Sequence, residues 1–388
     1  MHILPHRSSW PCRFPGGLYE PLKQTHWVGR NRLSLVAALL MLMLSPIARL
    51  SMAQPARALE VDLARERLVG LPIHWSSVEG VLLESSGRFQ LFDMQQVQRH
   101  RLLEDDFQPQ SLVEARRQLN AEFGPNFETT IAGPYVIAAP RGQAERWQTR
   151  FTALLAGYVR YFETRGWKLR QPDFPLCVIV FPDRTAFERY AATETKSLPP
   201  EAVGSYFPRS NRCVLYQLSS ARGTDWQQTE ATIVHEAVHQ LAYNTGVHER
   251  LFENPLWFVE GLATMFEQAT VYDLTASQRS IVDRMHPLMI KQLQPMLGNP
   301  AELEASIQKM LLSDELFRTD PYNAYALGWA MTFTMVERLP REYGTFLQIQ
   351  AARGFGEYTA GSRRADYQTA FKISPETLAQ YMQRLLQP

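Results

Sequence analysis

Residues 231–246, ATIVHEAVHQLAYNTG, place two histidines four positions apart with a glutamate directly after the first: His235, Glu236 and His239. Imidazole nitrogens ligate borderline metal ions such as zinc, and a carboxylate beside such an ion can take a proton from water. On a helix, residues four apart lie about 40° apart around the axis and one turn apart along it, so His235 and His239 project from one face and can chelate a single ion. Glu236, about 100° round from His235, falls beside the ion rather than on it. The chain has nine histidines in 388 residues. At that density an accidental H-E-x-x-H anywhere has odds on the order of one in a hundred.

A catalytic zinc takes three protein ligands and keeps a fourth position open, so a third ligand is expected on a rigid element downstream. NPLWFVEGLATMFEQA, residues 254–269, supplies one. Asn254 is placed to cap a helix, Pro255 suits its first position, and Leu256, Val259, Leu262, Ala263 and Phe266 give it an apolar face. Glu260 is then a charge in the second turn of an otherwise apolar run, and with the histidine pair just before it the ligand reading outweighs that of a surface carboxylate. The H-E-x-x-H-x-x-G-x-x-H arrangement is excluded, because Ala242 and Thr245 stand where it needs glycine and histidine. His248, nine residues past His239, is an alternative third ligand. His286, just before Pro287, reads as a helix-end or surface histidine.

These side chains need elements to hold them. The histidine helix begins between Asp225 and Thr229 and stops around Asn244, Thr245 and Gly246. Upstream, GVLLESSGRFQLFD predicts a hairpin across Ser85, Ser86 and Gly87, GPYVIAAP a strand, and SLVEARRQLNAEFG a helix stopped at Gly124. AERWQTRFTALLAGYVRYFETRG predicts a long amphipathic helix, LCVIVF a strand, Asp183 the start of another helix, and GSYFPRSNRCVLYQL a hairpin with its second arm at 212–218. Beyond Asp225 the pattern is helical, except for a loop expected at 352–367, ARGFGEYTAGSRRADY. The fold class is α+β: a small mixed, β-rich domain over 59–140, then a catalytic domain over 144–388 with a short sheet and a mostly helical second half.

Composition sets the outer limits. With 45% hydrophobic and 20% charged residues, and 40 basic against 39 acidic, the chain is an ordinary globular one with nothing pointing to nucleic acid. The apolar run LSLVAALLMLMLSPIA at 33–48 follows Arg30 and Arg32, and Ser51 and Ala53 provide the small residues of a cleavage site. That pattern predicts an export signal over 1–53, with a retained membrane anchor as the alternative. Its removal takes away six basic residues and Glu20, leaving 34 basic against 38 acidic, a formal charge of −4. Cys177 and Cys213 remain, each in an expected strand; an oxidising compartment would permit a disulfide, but two buried thiols is the favoured reading.

His235-Glu236-x-x-His239 followed by Glu260-Gly261-Leu262-Ala263 resembles the gluzincin metallopeptidases, whose third ligand is a glutamate on a following helix. The wider stretch from about 70 to 385 resembles a bacterial family of uncharacterised domains grouped with peptidase-MA-like proteases. The resemblance implies zinc held by His235, His239 and Glu260, a peptide or protein substrate, and Glu236 as general base for water attack on an amide. It further implies an edge strand before the histidine helix, here 212–218, to pair with the substrate backbone, an interior strand being the other reading of those residues. It also implies a tyrosine supporting the oxyanion, for which Tyr325 is preferred over Tyr322. Where some of these enzymes carry an aspartate after the glutamate ligand, this chain has Ala263, so the group orienting the histidines is expected at Glu267 or a backbone carbonyl. The rival readings are a metal-binding protein without hydrolytic activity, and an envelope interaction or scaffold protein.

Overall fold

The computed structural model describes residues 57–196, 198, 202–217, 226–275, 280–353 and 358–387. The expected export signal and its expected cleavage site lie outside them. The described chain is α+β: two sheets in the N-terminal half, then a mostly helical C-terminal half.

The first sheet comprises β1 (Arg57–Leu63), β2 (Arg67–Trp75), β3 (Glu79–Leu83), β4 (Phe89–Asp93) and β5 (Val97–Asp106), all antiparallel, in the order β4-β3-β2-β1-β5. Alternation decides its faces. Leu59, Val61 and Leu63 of β1 pack with Leu68, Leu82 and Phe92 on one side. Leu71, Val81, Leu83 and Phe89 turn the other way and meet Phe174 and Leu251 from the rest of the chain. The expected turn at Ser85–Gly87 joins β3 to β4, with Gly87 at φ 84°. From just beyond that turn Phe89 donates its backbone N–H to the Arg209 carbonyl at 2.8 Å.

The second sheet is mixed. Helix α1 (Leu112–Phe123), capped by a reciprocal Ser111–Glu114 box, leads into the hairpin of β6 (Phe127–Ala132) and β7 (Tyr135–Pro140). Helix α2 (Ala144–Glu163), β8 (Leu176–Phe181), α3 (Arg184–Glu194), β9 (Gly204–Phe207) and β10 (Arg212–Tyr216) follow, and the strand order is β6-β7-β8-β10-β9. Two expectations meet a different arrangement. First, β6 and β7, within the stretch 59–140 expected as a small domain, hydrogen-bond into this second sheet, and α1 packs on it. Alternation marks a strand but not its partner, which is set by long-range pairing. Second, the strand after Arg212 is interior, between β8 and β9, and β9 is the edge. The unbroken apolar run CVLY is itself the mark of a strand covered on both faces. Register pairs Arg212 with Cys177 and Cys213 with Val178, which sends the two cysteines to opposite faces; both are free thiols.

The helical half comprises α4 (Trp226–Thr245), α5 (Leu256–Phe266), α6 (Ala269–Tyr272), α7 (Pro287–Leu297), α8 (Pro300–Leu312), α9 (Glu315–Thr319), α10 (Pro321–Arg338), α11 (Pro340–Ala351), α12 (Ala360–Phe371) and α13 (Pro375–Leu386). Proline opens α7, α8, α10, α11 and α13, at positions whose N–H has no helical acceptor in any case. Helix α4 stops where predicted: Gly246 takes φ 82°, and the N–H groups of Val247 and His248 turn back to the Ala242 carbonyl. Helix α5 is buried from Trp257 through Phe266, with α4 and α10 against it. At Gly261 a Cβ would stand 2.4 Å from the Gly328 carbonyl oxygen of α10, so only glycine lets these two helices approach this closely.

Two local expectations are corrected. Asn254 does not cap α5. Its side chain ties the loop before the helix, bonding Glu249 and Phe252, while Asp314 accepts the N–H of Leu256 at 2.9 Å. Asp314 is itself gripped by both Arg363 Nη atoms, at 2.8 and 2.6 Å. Residues 360–367, expected as loop, are the first two turns of α12: Thr359 caps it through Ser362, and Arg363 and Tyr367 are buried. Glycine and charge masked a helix whose inner face is itself partly polar. No helix among the described residues is long and apolar enough to cross a membrane.

Candidate metal centre

The inner face of α4 carries His235, Glu236 and His239, and α5 brings Glu260 against it; all four are buried. One ligand atom from each of His235, His239 and Glu260 lies within 4.8 Å of the others. Glu260 Oε2 is 3.1 Å from His235 Nε2 and 3.6 Å from His239 Nε2. Ligand atoms about 2.0–2.1 Å from a tetrahedral zinc stand about 3.4 Å apart, and the two spacings fall either side of that value. Two imidazole nitrogens and one carboxylate oxygen, with no thiolate joining the group among the described residues, form a donor set suited to a divalent ion of zinc-like character. The ligands expected from the sequence are therefore together and fit a metal.

His235 is the best supported of them. Its Nε2 donates toward Glu260, and its Nδ1 lies 2.8 Å from Glu267 Oε1. Burial alone would pull this imidazole below its ordinary pKa, but the two carboxylates hydrogen-bonded at its two nitrogens hold it well above. Burial would likewise raise Glu260, and the positive field of His239 and the His235 hydrogen bond instead push it far below the carboxylate range. Glu267, the C-cap of α5, is depressed for the same kind of reason: burial opposes it, while hydrogen bonds from His235 and His286 win. Glu267 thus stands where the orienting group was expected, with its carboxylate on His235 Nδ1. His286, expected at a helix end or the surface, does stand at the N-cap of α7, but it is buried, with Nε2 3.1 Å from Glu267 Oε2.

Glu236 points to the sheet side. Its Oε2 accepts the backbone N–H of Tyr206 in edge strand β9 at 2.8 Å. Burial raises its pKa, against the lowering influence of His239, His235 and this N–H. A carboxylate so placed is a stronger base than one in water. Tyr325 lies in the first turns of α10 with its ring centre 6.4 Å from that of His235 and a hydrogen bond to Glu260. Burial, then the charges of Glu260 and Glu236, raise its phenol well above the ordinary value, so it stays a neutral donor. Tyr322, its rival, is 44% exposed and outside the cluster. The Gly261–Gly328 contact is what places Tyr325 here, since Gly261 follows Glu260 and Gly328 lies one turn beyond Tyr325.

His239 has a different setting. Its Nδ1 finds no hydrogen-bond partner among the described residues. His248, which is not part of the ligand group, packs edge-on to Tyr243 and Phe258 at 5.2 and 4.5 Å, with neither ring nitrogen hydrogen-bonded among the described residues. Burial, aided by the nearby His239, pulls it down to about 3, so it is neutral.

Two participants escaped the sequence reading. The N–H of Tyr206 could not be seen there, because every residue has one and only register aims it. His286 left a faint signal: a histidine fixed against a proline before an apolar helix, nineteen residues after the glutamate expected to orient the ligands. No curated protein matches the chain. The profile of a family described as "Protein of unknown function (DUF1570)" matches residues 229–354, the segment that contains His235, Glu236, His239, Glu260 and Tyr325.

Proposed function

We infer that the chain is a zinc-dependent hydrolase, and that the bond it cleaves is the amide of a peptide or protein. The observation that carries this reading is the buried group of His235, His239 and Glu260 with Glu236 alongside it and outside the ligand set. His235, His239 and Glu260 would hold the cation, which when bound would supply Lewis acidity to a carbonyl and to water. The remaining work falls to the chain. Glu236, with raised basicity, takes the proton of the attacking water and returns it to the leaving amine. Tyr206 N–H fixes one carboxylate oxygen of Glu236, leaving the other for the proton. Tyr325 offers its neutral hydroxyl to the developing oxyanion. Edge strand β9 offers backbone groups for an extended substrate. The leader-like residues 1–53 support an exported protein acting outside the cytoplasm.

The test combines metal content with turnover. Purified protein should hold about one zinc per chain by elemental mass spectrometry and cleave members of a mixed peptide library. Glu236→Gln should keep the zinc and lose about 10²- to 10⁴-fold in rate. Folded protein that takes up no zinc when zinc is supplied sinks the reading. Zinc uptake without cleavage of any peptide would favour the non-hydrolytic metal-binding alternative.

A further inference from the structure

Behind His235 the structure continues beyond what a ligand and its carboxylate need. Glu267 is buried, and it ends α5, where the partial negative charge of the helix terminus opposes a carboxylate. Both of its oxygens are taken by imidazoles: Oε1 by His235 Nδ1 at 2.8 Å and Oε2 by His286 Nε2 at 3.1 Å. The three residues come from three separate helices. His286 is tightly set: Pro287 follows it, its ring meets that of Trp329 at 6.2 Å, and its Nδ1 has no partner among the described residues. A buried imidazole with a single hydrogen bond gains little net stability from it, and an apolar side chain would fill the same space. What the imidazole adds is a donor that fixes the plane of the Glu267 carboxylate.

Building on the metal site just assigned, we propose that His286 is a positioning residue: by holding Glu267 Oε2 it orients Oε1 toward His235 Nδ1, which keeps His235 Nε2 aimed at the metal. The linkage sets the tautomer as well as the direction. With Nδ1–H given to Glu267, the lone pair of His235 must reside on Nε2 once a cation replaces the proton there.

The experiment compares His286→Phe, which removes the donor, with His286→Gln, which retains an amide N–H, each alone and combined with Glu267→Gln. Zinc affinity is read by chelator competition, ligand geometry by the visible absorption of the cobalt-loaded protein, and fold by the thermal transition of the metal-stripped protein. His286→Phe should bind zinc about 10-fold more weakly with an altered cobalt spectrum, and His286→Gln should recover part of both. In the Glu267→Gln background, replacing His286 should cost nothing further. Wild-type affinity and spectrum in a folded His286→Phe protein would overturn the proposal while leaving the metal site intact, as would an equal loss in both backgrounds. If His286→Phe does not fold, His286→Gln decides: the wild-type spectrum but weaker binding, unchanged by Glu267→Gln, would mark a merely structural role. A wild-type protein that takes up neither zinc nor cobalt would remove the metal site itself and this role with it.

Discussion

His235 and His239 leave α4 one turn apart and reach the same Glu260 carboxylate, but their far nitrogens enter different surroundings. Behind His235 stand an ionised carboxylate and a second imidazole, contributed by the end of α5 and the start of α7. His239 Nδ1 has no partner among the described residues, and the imidazole near it, His248, is neutral and packed edge-on to Tyr243 and Phe258. One flank is built from charge and hydrogen bonds, the other from packing. The contrast teaches that two ligands alike in the sequence motif need not be alike in energetics. The polar flank supplies the partners that fix a tautomer and a direction, and the other flank supplies none to His239 Nδ1 among the described residues.

Glu260→Ala removes the carboxylate that both flanks share, so it should abolish the asymmetry by abolishing stoichiometric zinc binding, as dialysis against buffered zinc would register. Glu267→Gln acts on the polar flank alone. It should weaken zinc about 10- to 100-fold, and a loss indistinguishable from wild-type scatter would mean that the charge behind His235 is idle.

pH separates the flanks further. In metal-stripped protein the raised pKa of His235 contributes stability that is complete below its ordinary range near 6.5 and is lost as pH rises through the raised value. Depressed Glu260 and Glu267 contribute stability present above the ordinary carboxylate range near 4.5 and lost as pH falls through their lower values. The stripped protein should therefore show its highest Tm between those limits and decline on the alkaline side. Zinc affinity should rise with pH, because binding must displace the proton on His235 Nε2. Calorimetric scans across pH, with and without zinc, read both slopes, and a Tm of the stripped protein that climbs through the alkaline range would contradict the charge pattern behind His235.

The smallest effect is expected on the apolar flank. His248→Leu replaces a buried imidazole that makes no hydrogen bond, so stability should change by no more than about 1 kcal/mol or improve, and zinc affinity should stay within about 3-fold of wild type. A loss as large as that of Glu267→Gln would show that His248 supports His239 as strongly as the carboxylate supports His235.

The candidate metal site was legible because helical periodicity converts sequence spacing directly into geometry: His235, His239 and Glu260 could be placed from two local patterns. Glu267 followed for the same reason, one face of one helix. What escaped needed long-range pairing. Nothing local distinguishes β10 as interior from β9 as edge except its continuous apolar run, and nothing local assigns β6 and β7 to the second sheet. Capping failed similarly at α5, where Asn254 had the right chemistry but stands one residue before the N-cap, Pro255, and Asp314, sixty residues later in the chain and pinned by Arg363, took the N–H of Leu256. Helix α12 was missed because its buried face includes an arginine, which pattern reading assigns to solvent.

The hydrogen bond from Phe89 to Arg209 bears on how small a working piece of this protein can be. Residues 229–354 carry every side chain proposed for the chemistry, and they stop short of β9, of the sheet against which α4 packs, and of the strand that ties down the turn after β9. A fragment trimmed to those limits would keep the ligands but bare the apolar back of α4 and free Glu236 from Tyr206. A fragment expected to fold with its site intact therefore reaches back to β1, roughly 170 residues before the first matched position.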